Sequence, residues 1–166
     1  MSEKQYNVLV LCTGNSARSI LGEVLFKVLG KGRFIAYSAG SKPAGKVNPF
    51  ALELLQQQGL GTEGLRSKNW DEFAAPGAPE IDFIFTVCDN AAGETCPIWP
   101  GRPATAHWGI PDPGHVEGGD ETKRAAFRKA YEQLARRIQL FISLPIEKLD
   151  KLTLKEKLAD IGRIQD

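Results

Sequence analysis

The sequence predicts a single three-layer α/β domain: a four-stranded parallel sheet flanked by helices, with an extra C-terminal helical tail. Three observations carry that reading. Apolar runs of strand length, Val8-Leu9-Val10-Leu11 and Phe83-Ile84-Phe85-Thr86-Val87 among them, are apolar nearly throughout, as strands covered on both faces are. Segments with helical spacing alternate with those runs, and strand–helix–strand order is that of a parallel crossover. No repeat, low-complexity stretch or composition break divides the 166 residues, an ordinary length for one domain with a substantial core.

The elements follow in order. Val8–Leu11 is the first strand; Ile20, Leu21, Val24, Leu25, Val28 and Leu29 then recur at helical spacing until Gly30-Lys31-Gly32 stops the pattern. Phe34–Tyr37 is the second strand, ending at Ser38-Ala39-Gly40, and Ser41–Lys46 is a loop. Asn48 caps the next helix with Pro49 in its first turn; Phe50, Leu54 and Leu55 form its apolar stripe and Gly59 ends it. Thr62–Lys68 is a polar connection, Asn69 caps a short helix at Trp70–Phe73, and Ala74–Glu80 carries prolines and a glycine without regular structure. The third strand, Phe83–Val87, runs straight into Cys88. Asp89–Arg102 is a loop, Ala104–Trp108 a fourth strand, and Gly109–Gly119 another loop holding Pro111-Asp112-Pro113 and His115.

A long amphipathic helix follows at about Glu121–Leu144. Phe127, Tyr131, Leu134, Ile138, Phe141 and Ile142 face inward, and Arg128, Lys129, Glu132, Arg136 and Arg137 face water. After Pro145 the chain divides into a domain over 1–145 and an extension over 146–166. There Thr153-Leu154-Lys155-Glu156 reads as a capping box and Leu154, Leu158 and Ile161 as a short stripe closed by Gly162. That helix packs on its own domain or contacts a second subunit.

Composition excludes several classes. With 21 basic and 20 acidic residues the net charge is +1, so nothing points to nucleic acid or to a membrane surface. No apolar run reaches transmembrane length and Met1–Gln5 lacks the apolar stretch of a signal peptide, which predicts a cytoplasmic protein; a monomer or weak dimer is expected. Three cysteines in a reducing compartment favour reactive thiols over a disulfide framework.

The sharpest signal is Cys12-Thr13-Gly14-Asn15-Ser16-Ala17-Arg18-Ser19, a loop between strand and helix. Such a loop aims backbone N–H groups and the positive end of a helix at one point, which suits a tetrahedral oxyanion. Arg18 adds a bidentate grip on two oxygens. The same field favours Cys12 as the reactive thiolate. A cysteine ending a buried strand is often only a small core residue; one followed six positions later by Arg-Ser, with Gly and Asn between, is far less common.

These residues resemble the active-site loop of the low-molecular-weight protein tyrosine phosphatases and of the arsenate reductases built on that fold. The resemblance implies a nucleophile at Cys12, an oxyanion clamp at Arg18, a shaping role for Asn15 and a Ser19 hydroxyl that holds the thiolate. Thr13, Gly14, Ser16 and Ala17 complete the oxyanion-binding loop. From its residues alone Asp112 is a proton donor stiffened by two prolines or a solvated turn aspartate. Asp-Pro on a loop after the fourth strand resembles the family's general acid.

Two further cysteines separate the branches. A hydrolytic phosphatase needs one thiol because water resolves its intermediate, whereas reducing arsenate takes two electrons from a thiol pair. Cys88-Asp89-Asn90-Ala91-Ala92-Gly93-Glu94-Thr95-Cys96-Pro97 resembles the redox segment of thiol-dependent arsenate reductases, with one residue more between its cysteines. His107-Trp108-Gly109 resembles that branch too, and Gly114 stands where the tyrosine phosphatases carry a tyrosine.

The resemblance thus implies an arsenate reductase in which Cys12, Arg18, Cys88, Cys96 and Asp112 are catalytic. A Cys12–Cys88 disulfide would move outward to Cys88–Cys96 and be reduced by thioredoxin, or by glutaredoxin with glutathione. Arsenate is the substrate, phosphate or sulfate its mimics, and no cofactor is required. The alternative is a tyrosine or small-molecule phosphatase. The resemblance also carries Asn15, Glu23 and Ser38 onto potassium ligands, but Lys68 stands where an aspartate is expected, so no metal is predicted. Cys88, Cys96, His107 and His115 lack the close pairings of zinc modules.

Overall fold

A computed structural model describes residues 5–88 and 104–164, apart from the side chain of His115. Strands β1 (Tyr6–Cys12), β2 (Phe34–Gly40), β3 (Phe83–Thr86) and β4 (Ala104–His107) form one sheet in the order β2-β1-β3-β4, every neighbouring pair parallel. Helices α1 (Arg18–Gly30), α2 (Pro49–Gln57), α3 (Asp120–Ile142) and α4 (Lys151–Gly162) pack around it, with short 3-10 turns at 70–73, 113–115 and 146–148. Parallel register brings the carboxyl ends of all four strands to one rim: Cys12 pairs with Gly40, Leu11 with Thr86, and Thr86 with His107.

Alternation along the strands divides the core in two. Val8, Val10, Phe34, Ala36, Phe83, Phe85 and Ala106 face the main cluster, built with α1, α2, α3 and α4. Its centre is aromatic: the Phe85 and Trp108 ring centroids lie 4.0 Å apart, and Phe141 of α3 meets both Phe83 and Phe85 edge-on at 5.1 Å. Each ring withdrawn from water contributes about 1.5–3 kcal/mol. Leu9, Leu11, Ala39 and Ile84 face the other way, under Tyr37, Trp70, Phe73 and Ile81. Among the described residues that second cover is thin.

Local signals act as the sequence predicts at several joints. Asn48 Oδ1 accepts from Phe50 N at 2.8 Å and caps α2, and Asn69 Oδ1 does the same for Asp71 N at 2.8 Å. Two readings need correction. The capping box at Thr153 is not the helix start; Asp150 is the cap, its Oδ1 accepting from Thr153 N at 2.7 Å. A carboxylate three residues upstream caps as well as a hydroxyl and gains one more turn for the apolar stripe.

Arg137, expected in water, is buried at 4% exposure, and its guanidinium donates to Gln133 O at 3.0 Å and Ile164 O at 3.1 Å. The end of the chain crosses α3 there and turns a solvent face into an interface. Helix α4 packs on its own domain: Trp108 Nε1 donates to Leu158 O at 3.0 Å, and a Cβ on Gly162 would stand 2.5 Å from His107 O. Glycine at that position is what lets α4 lie against β4.

Candidate active site

The loop leaving β1 wraps around one sulfur. Cys12 is 3% exposed, and its Sγ receives the Asn15 N–H at 3.2 Å and meets Ser19 Oγ at 2.9 Å. Asn15 Nδ2 donates to that same Ser19 Oγ at 2.8 Å, so the hydroxyl hydrogen is left to point at sulfur. Asn15 adopts φ 45°, the left-handed region that asparagine tolerates better than most residues. Its side chain is held from the far side by Lys68 N–H to Oδ1 at 2.8 Å.

Three carbonyls of the loop are tied outward. Thr13 O accepts from Lys42 N at 3.0 Å, Gly14 O from Ala44 N at 2.9 Å, and Ser16 O from Asn48 N at 2.9 Å. Ser67 Oγ adds a second donor to Gly14 O at 3.1 Å. Holding carbonyls outward turns the peptide planes so that their N–H edges can converge on a ligand. The close approach behind the loop requires Gly40, where a Cβ would lie 2.4 Å from Thr13 O. Helix α1 begins at this loop with no side-chain cap and no acid in its first turn, so its positive end is not neutralised locally.

Arg18 is 3% exposed although charged. Its Nη1 donates to Val87 O at 3.2 Å and Ile110 O at 3.1 Å, and its Nη2 lies 3.4 Å from Asp112 Oδ2. Asp112 divides its two oxygens: Oδ1 accepts from Gly114 N at 2.9 Å and fixes the 3-10 turn, while Oδ2 faces the guanidinium. One oxygen thus serves the turn and the other faces the arginine of the cleft. Cys12, Arg18 and Asp112 line a cleft of about 480 Å³ together with Ser41, Lys42 and Ala44. A larger cavity of about 660 Å³ lies at the amino ends of the strands, between Tyr6, Phe83, Ala104 and α4, and none of these groups reaches it.

Cys88 is buried at 0% exposure two residues beyond β3, the strand paired with β1, and neither it nor Cys12 is in a disulfide. Cys96 lies outside the described residues, as does the side chain of His115. His107 Nδ1 is paired with Thr86 Oγ1 at 2.8 Å.

Behind the loop is a buried charged network. Glu23 Oε1 accepts from Ser38 Oγ at 2.6 Å, Glu23 Oε2 from Lys27 Nζ at 3.0 Å, and Lys68 Nζ stands 3.8 Å from Oε1 while donating to Arg66 O at 2.9 Å. Burial pulls the Lys68 ammonium below the ordinary lysine pKa, with Glu23 pulling the other way. Sequence reasoning missed Ser41, Lys42, Ala44 and Ser67 at this site. The only signal for the first three was a Gly- and Pro-containing loop after the second strand, and for Ser67 a polar connection at Thr62–Lys68; neither predicted a contact.

The matching family model, described as low molecular weight phosphotyrosine protein phosphatase, spans residues 7–155. The chain belongs to that family. An arsenate reductase of Halalkalibacterium halodurans is 35% identical over 134 residues, covering 81% of this chain and 93% of that protein. The arsenate reductase of Bacillus subtilis is 31% identical with the same shares. A crystal structure of arsenate reductase from Archaeoglobus fulgidus shares the fold with a TM-score of 0.68 at 26% identity, over 82% of this chain and 99% of that one. The low-molecular-weight phosphatase match stops within α4, so the last turns of that helix lie beyond it.

Proposed function

We propose that the protein reduces arsenate to arsenite at Cys12, with an external thiol reductant restoring the enzyme. One observation carries this beyond oxyanion binding: a second buried thiol, Cys88, lies two residues past the end of β3, the strand paired with the one that delivers Cys12. Leu11 pairs with Thr86 and Val87 N donates to Leu11 O at 2.9 Å, so the pairing continues toward the two thiols. The disulfide step therefore requires the Cα atoms of Cys12 and Cys88 to come together beyond the strand ends. A disulfide needs them within roughly 7 Å. The relatives named arsenate reductase support the same substrate.

Arsenate binds among the loop N–H groups and Arg18, and the Cys12 thiolate attacks arsenic; one oxygen leaves as water, Asp112 supplying a proton. Cys88, as thiolate, attacks the Cys12 sulfur. The S–As bond breaks with its electron pair remaining on arsenic, which passes from the +5 to the +3 state and leaves as arsenite, and the Cys12–Cys88 disulfide forms. Cys96 attacks Cys88 and returns Cys12 to thiolate, leaving Cys88–Cys96. A dithiol protein of the thioredoxin type, or a glutaredoxin with glutathione, takes that disulfide by exchange.

The test is arsenate-dependent consumption of reductant by the whole chain beside hydrolysis of an aryl phosphate. Reduction that Cys12→Ser lowers at least ~10⁴-fold while the protein stays folded is expected. Catalytic turnover of C88S at the wild-type rate, or phosphate hydrolysis without arsenate reduction, overturns the reading. Weak aryl phosphatase activity beside reduction is compatible with it, because one cradle accepts both tetrahedral anions.

A further inference from the structure

Two buried ionic groups next to the cradle take no part in the proposed steps. Glu23 is 6% exposed and Lys68 9%. Oxygens from three separate elements surround this point: the Glu23 carboxylate from α1, the Ser38 hydroxyl bonded to it from β2, and the Arg66 carbonyl from the connection after α2. A carboxylate withdrawn from water requires a compensating cation and hydrogen bonds, or folding becomes costly. Lys27 supplies part of this at Oε2, but its side chain is half in solvent at 50% exposure. The cation on the inner side is the Lys68 ammonium.

The resemblance read from the sequence carried Asn15, Glu23 and Ser38 onto potassium ligands, and the side chains present do not fit a bound ion. The inner side of Glu23 already faces an ammonium 3.8 Å away, and Asn15 Oδ1 is engaged by the Lys68 N–H rather than turned to an ion. We propose that the Lys68 ammonium is the covalently tethered resident cation of this oxygen cluster, and that it makes the active-site loop independent of potassium. An ammonium group and a potassium ion are alike in charge and similar in radius, so one can stand for the other among oxygens.

The connection to the sulfur runs through Asn15. Lys68 is fixed by its head group to Glu23 and Arg66 O, and by its backbone to both neighbours, its N–H to Asn15 Oδ1 and its carbonyl to Gly40 N at 3.0 Å. Asn15 in turn orients Ser19 and donates its own N–H to Cys12 Sγ. Lys68 is therefore a positioning residue that acts through Asn15.

The experiment compares wild type, Lys68→Ala and Lys68→Met in potassium, sodium and choline chloride at equal ionic strength. Iodoacetamide alkylation of Cys12 is followed by peptide mapping, and inorganic phosphate binding by calorimetry. Wild type is expected to behave alike in the three salts to within about twofold, since screening is equal. K68A is expected to be slowed about tenfold in sodium, the loss of one well-placed hydrogen bond, and restored mainly by potassium. K68M, whose apolar chain fills the space, stays slow in every salt. General destabilisation would not be relieved by one cation over another.

A wild type that responds strongly to potassium, or a folded K68A blind to the choice of cation, overturns the inference. If K68A does not fold in sodium, recovery of its fold in potassium supports the inference and failure in both salts overturns it. The inference rests on reading the loop as an oxyanion cradle. Wild-type protein that binds neither phosphate nor arsenate overturns that reading and this inference with it, whereas a cation-blind K68A in a phosphate-binding protein overturns the role of Lys68 alone.

Discussion

The rim where β1 meets α1 and the edge where β4 meets α4 are both buried, yet different physics holds each. At the rim, Asn15, Arg18, Ser19, Glu23, Ser38 and Lys68 are all at or below 9% exposure, and named hydrogen bonds or ion pairs account for their polar groups. At the edge, Trp108, Leu158 and Ile161 fill space, with one indole N–H bond to Leu158 O. A polar network fails when one atom is wrong, because the partner it abandons stays buried. An apolar contact fails in proportion to the volume removed. Activity should therefore depend mostly on the rim and stability mostly on the edge.

The largest effect expected on that contrast is Arg18→Lys. Lysine keeps the charge and loses the planar fork that reaches Val87 O, Ile110 O and Asp112 at once. Steady-state kinetics should show kcat/KM for arsenate down about 10²–10³-fold, the range for removing one preorganised donor. Unfolding in urea should move far less than activity does.

Trp108→Ala is the converse. It removes a side chain at 1% exposure whose ring lies 4.0 Å from Phe85, at a cost of about 3–5 kcal/mol. For a chain of this size that lowers Tm by roughly 6–20 °C, read by calorimetry. Below the transition its arsenate kinetics should stay closer to wild type than those of R18K. One link between the two regions is Ile110, which lies two positions past Trp108 and presents its carbonyl to Arg18. If W108A lost as much activity as R18K while still folded, that carbonyl would be coupling edge to rim and the separation would fail.

How far the sequence alone reaches follows the same division. Apolar runs and turn residues define the four strands, because alternation and glycine or proline are local. Cys12 to Ser19 is readable because the loop's chemistry lies within eight consecutive residues. What the sequence does not show is supplied by the backbone or by distant segments. Val87 O and Ile110 O hold Arg18, but every residue has a carbonyl and nothing in the letters marks these two. Ser67 reaches Gly14 O from 53 positions away. Arg137 reads as a solvent residue until the chain end crosses it, and Lys68 reads only as a departure from an expected aspartate until Glu23 is found beside it.

The smallest effect expected lies at the outer margin of the rim, and it sharpens where the tight network stops. Arg66, whose carbonyl receives Lys68 Nζ, grips Glu72 through its guanidinium, Nη1 to Oε2 at 2.9 Å. That bond from Arg66 holds the Glu72 carboxyl below the usual glutamate value of 4.5, burial acting weakly in the opposite sense. A carboxyl whose folded pKa is lowered adds stability that is complete above its unfolded value and is lost as pH falls through the folded one. The side chains are 60% and 43% exposed, so solvent and salt screen the pair and its contribution is a few tenths of a kcal/mol, about the surface median. Glu72→Gln should thus lower the urea midpoint slightly near neutral pH, by less at high salt, and not at all in acid where both proteins are uncharged at this position. A larger loss, accompanied by slower alkylation of Cys12, would mean that the Arg66 carbonyl depends on its own side chain's grip. The polar rim would then extend to the surface instead of ending at Lys68.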